Sequence, residues 1–273
     1  MEQQKTISDW PLRRGMGIFN LISGIIVVLL TAASLAGLIN PSAIYPTEVL
    51  KKGFISNDVV NLGIGLPILL GSMLLANRKK WIGLLFWPGA LFFVSYTYLI
   101  YSLAMPVSLM LLVYLTLAVM SGYAAIALAV SLEAEAIAKR LKGAVPERLA
   151  GGILAGLSAL FMLRVVGVIF SATQGTALLP TELGQNVADF IFMPAWILGG
   201  VALWRHQPKG YAVGLGLLFQ GSMLFIGLIM FYLLQPILTT APFAGGDVLV
   251  VAVMGCIFFV PTGLFIGGVL KKS

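Results

Sequence analysis

Eight runs of about twenty or more predominantly apolar residues fill this chain, at about 15–38, 58–77, 81–103, 106–131, 149–173, 186–204, 210–235 and 247–270. A helix of that length crosses roughly 30 Å of hydrocarbon. Only helices or closed barrels satisfy their backbone polar groups there. The expected fold is an all-α integral membrane protein with eight transmembrane helices. Only Ala104, Met105 and Pro106 separate the third run from the fourth, which predicts a tight turn. Composition agrees: 59% of the 273 residues are hydrophobic and 10% are charged, against about 25% charged in a soluble domain. Water-soluble globules, disordered chains and nucleic-acid-binding domains are excluded, so the net charge of +7 needs another explanation.

Topology supplies one. With the N-terminus inside, the inner segments hold fourteen bases and the outer segments only Lys51 and Lys52. The inner set is Lys5, Arg13, Arg14, Arg78–Lys80, Lys139, Arg140, Lys142, Arg148, Arg205, Lys209, Lys271 and Lys272. This is the positive-inside pattern. It predicts cytoplasmic N- and C-termini in a plasma (inner) membrane. It also predicts contact between the basic face and anionic lipid headgroups, with no nucleic acid as partner.

The two halves of the chain resemble each other. Pro11, Arg13, Gly17 and Ile18 recur as Pro146, Arg148, Gly152 and Ile153, and Pro46-Thr47-Glu48 recurs as Pro180-Thr181-Glu182. Pro67, Arg78, Gly83, Gly89, Phe92 and Ser95 recur at an offset of 127 as Pro194, Arg205, Gly210, Gly216, Phe219 and Ser222. Ala118-Val119-Met120 recurs as Ala252-Val253-Met254. This collinearity predicts a tandem duplication: a four-helix repeat over 11–131, a cytoplasmic linker over 132–148, and a second repeat over 149–273. Four spans is an even number, so the repeats are parallel and related by a pseudo-two-fold axis along the membrane normal. The first run, which has signal-peptide features, matches the fifth and is therefore read as a span. Glu135 and Lys139, at i, i+4, suggest that the fourth helix continues into the linker.

Polar residues inside spans are costly and mark buried partners or sites. Arg164 lies 16 residues beyond Arg148, Asp189 lies 16 before Arg205, and Tyr96 lies 16 beyond Lys80. All three fall roughly 24 Å from the inner face, and Arg164 and Asp189 are expected to form an ion pair. Asp58 and Asn61 mirror Asn186 and Asp189 with acid and amide exchanged. Asp58 and Asn186 also suit helix N-caps. Pro67 and Pro194 free the carbonyls of Gly63 and Phe190 near mid-bilayer, and Gly/Pro-interrupted spans in matched positions point to a transport site. Gln220 adds an uncharged polar group. Tyr96, Tyr98 and Tyr101 fit an interfacial aromatic belt, Tyr96 least simply because it shares the depth of Arg164, and Gly263 with Gly267 fits a helix-packing face. Glu48 and Glu182 begin matched outer segments, where they either cap helices or flank an outer vestibule attractive to cations.

Chemistry is excluded more readily than assigned. A single Cys256 and a single His206 rule out an internal disulfide, thiolate cages, bis-histidine haem and HExxH zinc sites. No catalytic residue, cofactor or metal site is assigned. The leading expectation is a small-solute or ion permease with its site between the repeats. The alternatives are a non-catalytic accessory, sensor or scaffold protein and, third, an intramembrane enzyme or lipid-binding protein.

Overall fold

The structure is a computed structural model and describes residues 10–238 and 242–272. Lys5 and Ser273 lie outside the described residues. Among the described residues there are helices and no strand, and eight helical segments are long and apolar enough to cross a membrane. The chain is a multi-pass, all-helical membrane protein. In order the helices are α1 (Met16–Ile39), α2 (Pro41–Ile44), α3 (Glu48–Val60), α4 (Leu66–Asn77), α5 (Trp81–Ala104) and α6 (Leu109–Ser131). There follow α7 (Ala134–Leu141), α8 (Glu147–Thr173), α9 (Pro180–Trp204), α10 (Pro208–Leu238) and α11 (Gly245–Lys272). A π-helical turn, Asn61–Gly65, joins α3 to α4 into one span.

Local chemistry sets the ends. The Thr47 hydroxyl accepts the Leu50 N–H at 3.3 Å, and Glu48 occupies the first turn of α3 beside Lys51, at 2.9 Å. The second span therefore begins ten residues before the apolar run at 58, and α9 begins six before the run at 186. Asp58 and Asn186 are thus mid-helix residues, which corrects their reading as N-caps. On the other side of the α5–α6 connection, Ser108 accepts the Leu111 N–H, so the fourth span begins at Leu109 and not at 106. Pro67 lacks an N–H to give to Gly63, and the helix takes up the mismatch in the π turn directly before it. In α9, Pro194 is accommodated within an α-helix.

The fourth helix does not run on through Glu135. It stops at Ser131, where the extended segment at Pro11–Arg13 takes over the backbone pairing. Arg13 N–H donates to the Ser131 carbonyl at 2.8 Å and Glu133 N–H to the Pro11 carbonyl at 2.9 Å. The separate helix α7 then buries Ile137, Ala138 and Leu141 and packs on α10. Arg140 lies over the Trp81 ring and donates to the Lys272 carbonyl. Lys79 lies over Trp10. These contacts gather both ends of the described chain at one end of the bundle, the basic end.

Inside the bundle α5 is the most buried span and α8 the least. Glycines permit the closest crossings. A Cβ on Gly89 would lie 2.4 Å from the Gly216 carbonyl oxygen, so α5 and α10 touch backbone to backbone. Gly151 and Gly200 do the same for α8 and α9. In α11 the packing glycines are Gly255 and Gly268; Gly263 and Gly267 meet nothing within 4 Å, contrary to the expected face.

Candidate functional site

Two buried carboxylates organise the polar interior. Asp189, on α9, is 3% exposed. It accepts a 2.7 Å hydrogen bond from the Tyr96 hydroxyl of α5. The Arg164 guanidinium of α8 stands 4.0 Å from its other oxygen, with the arginine side chain 42% exposed. The three residues placed at one depth by counting therefore meet at one point. Phe192 seals the cluster from below, its ring 5.4 Å from Tyr96 and 4.5 Å from Phe92. A carboxylate with one hydroxyl donor and one half-exposed cation keeps part of its hydrogen-bonding capacity open to a polar guest.

Asp58, on α3, is 1% exposed and lies wholly among first-half residues. The Tyr45 hydroxyl donates to it at 2.5 Å and Tyr101 at 3.2 Å. Ser34 and Tyr98 share a 2.9 Å bond beside it. Burial first, and the Asp58 carboxylate second, push the Tyr45 phenol far above its ordinary range, so Tyr45 remains a donor. Gly37 makes the cluster sterically feasible: a Cβ there would fall 2.1 Å from the Asp58 carboxylate. Tyr45, Tyr98, Tyr101 and Tyr114 form a stack with Phe54 around it. Tyr98 and Tyr101 are fully buried and do not form an interfacial belt, because the outer half of α5 faces protein and not surroundings. Neither Tyr45 nor Ser34 was singled out from sequence; the sign available was an acid at the edge of the second apolar run.

The remaining expected residues disperse. Asn61 is buried as the first residue of the π turn. Gly63, Pro67, Phe190 and Pro194 face outward, so the proline-freed carbonyls do not line a common space with Asp189. Residue counting along a span says nothing about which face a residue takes, and these four lie on the outward one. Gln220 is fully buried and accepts a 2.7 Å bond from the Trp196 indole. Glu48 is held by Lys51, and Glu182 accepts the Leu179 N–H at 2.9 Å, so both act locally at helix starts. No group of acids, histidines and cysteines able to hold a metal occurs among the described residues.

The cavities open sideways. One of about 460 Å³ lies between α5 and α6 on one side and α9 and α10 on the other. It runs from Lys209 at the basic end to Phe92, one turn below Tyr96. A second, of about 610 Å³, lies between α1 and α6. No family model, no curated protein and no solved structure matches this chain.

Proposed function

We propose that this chain is a permease for a small solute or ion, with its polar station at Asp189 between two repeated halves. The observation that carries the reading is the Asp189–Tyr96–Arg164 cluster. It spans the junction, one donor coming from α5 and the acid and base from α9 and α8. Intramembrane acids with incompletely satisfied oxygens are the groups that bind and release cations and protons.

The duplication belongs to the same proposal. On a pseudo-two-fold axis an element meets its own equivalent, and Gly89 of α5 packs on Gly216 of α10, its counterpart at offset 127. Lys79 and His206, also 127 apart, both take positive φ (58° and 55°) in turns with the same hydrogen bonds. Asp58 and Asn61 precede Asn186 and Asp189 by 128, whereas Pro67 precedes Pro194 by 127. The one-residue change falls at Asn61–Gly65, where the π turn accommodates one additional residue. The repeats are 11–131 and 149–273, with both termini cytoplasmic and the basic end facing anionic headgroups of a plasma (inner) membrane.

Proton and sodium flux into liposomes, read by trapped pH- and sodium-sensitive dyes, tests the reading. Wild-type protein is expected to conduct one of the two, and Asp189→Asn to abolish it while the protein still folds. Equal flux in wild type, Asp189→Asn and empty liposomes refutes ion permeation through this station. A second reading, an accessory protein that does not transport, draws on the glycine-tight α5–α10 junction and the sealed Asp58; it requires that negative result.

A further inference from the structure

We propose that the groove between α6 and α9 is a binding site for one anionic phospholipid. Its acyl chain lies along the groove and its phosphate sits at Lys209. The inference stands independently of permeation.

The groove exists because its walls are small. Gly89 of α5, Ala125 and Ala129 of α6, and Ala195, Gly199 and Ala202 of α9 leave about 460 Å³ unfilled. An empty volume of that size forfeits the dispersion contacts of its whole lining. The space opens sideways, between two spans, at a height along the bundle where those spans are apolar. In a bilayer the molecule present there is a lipid chain. Water is a poor occupant, because the lining offers polar groups only at Gln207 and Lys209.

These two polar residues lie together at the basic end, where a headgroup would stand. Lys209 is exposed, and among the described residues no carboxylate forms an ion pair with it. It occupies the first turn of the 31-residue helix α10, whose leading N–H groups also favour an anion. Arg205 and His206 precede it, and the Glu147 carboxylate that reaches this turn accepts from the Tyr211 hydroxyl at 3.2 Å and forms no ion pair with Lys209. An apolar trough ending in an unpaired cation is complementary to an anionic amphiphile and repels a cationic one. Gln207 offers a further donor to phosphate or glycerol oxygens. The upper end of the trough is Phe92, which packs on Phe192 and through it on Tyr96. A bound chain would therefore brace the aromatic floor of the Asp189 cluster.

Electron paramagnetic resonance of chain-nitroxide phosphatidylglycerol and phosphatidylcholine in reconstituted phosphatidylcholine vesicles tests the site. Wild type is expected to immobilise phosphatidylglycerol about fivefold more strongly than phosphatidylcholine, the worth of one lysine charge near an anionic headgroup. Lys209→Gln should erase most of that preference while leaving the immobilised phosphatidylcholine unchanged. Ala195→Phe, which fills the trough, should remove about one immobilised lipid of either kind; Ala129→Phe repeats the test from the facing helix should Ala195→Phe not fold. A preference retained in Lys209→Gln but lost in Arg205→Gln would overturn the proposal in favour of diffuse attraction by the basic face. Immobilised lipid unchanged by both filling variants would overturn it. So would a monomer–dimer equilibrium shifted by those variants with no change in lipid, which would make the trough a seat for a second copy.

Discussion

Gly89 and Gly216 share one contact, yet the geometry predicts very unequal consequences for adding a methyl group to each. A Cβ on Gly89 would lie 2.4 Å from the Gly216 carbonyl oxygen and 2.5 Å from its Cα. Ordinary contacts between such atoms begin at about 3.5 Å, so Gly89→Ala forces α5 and α10 apart by roughly 1 Å. All the opposing atoms are backbone and cannot turn aside. The cost belongs at the upper end of the overpacking range, about 3 kcal/mol. A Cβ on Gly216 meets Gly89 N at 3.1 Å, Gly89 Cα at 3.2 Å and the Leu85 oxygen at 3.3 Å. A shift of a few tenths of an ångström relieves that, at a cost of about 1 kcal/mol, which the helix preference of alanine over glycine offsets by a similar amount. Equilibrium unfolding in bicelles, with Gly71→Ala as a control that meets nothing within 4 Å, should separate the two. Gly89→Ala is expected to lose about 2–3 kcal/mol and Gly216→Ala almost none, a difference of roughly 30-fold or more in the unfolding constant. Equal losses, or a worse Gly216→Ala, would refute the backbone-to-backbone crossing.

Two further variants probe single interactions. Gln220→Leu strands the buried Trp196 N–H, now bonded at 2.7 Å, and should lower stability by about 1–3 kcal/mol; adding Trp196→Phe should recover part of that loss in the same unfolding assay, and a purely additive double variant would contradict the coupling. His206 adopts φ 55°, a left-handed conformation costing about 1 kcal/mol for a side-chain-bearing residue. His206→Gly should therefore raise the melting temperature slightly and His206→Val lower it, as followed by circular dichroism in detergent.

Relative height along the bundle was legible in the sequence for one cluster, whereas azimuth was not. A fixed rise per residue placed Tyr96, Arg164 and Asp189 at one level, and the three meet there. The same counting put Gly63, Pro67 and Pro194 near the middle, but they lie on the outward face, because no periodicity distinguishes lipid from protein when both are apolar. Helix starts were misjudged where polar residues entered early. Glu48, Lys51, Lys52 and Asn57 interrupt hydropathy but suit a helix whose first turns lie outside the apolar run. The Asp58 network escaped because its donors come from α1, the segment after α2, and α5, which only tertiary packing brings together.

The π turn acts as a phase shifter. A helix turns about 100° per residue, so one residue beyond the α-helical count rotates everything in Glu48–Val60 by about that angle against Leu66–Asn77. The heading of Asp58 toward Tyr45 and Tyr101 depends on this rotation as much as on any contact it makes. Removing a single residue between Asn61 and Gly65 would leave every side chain of that network in the chain while aiming the carboxylate at a different neighbour.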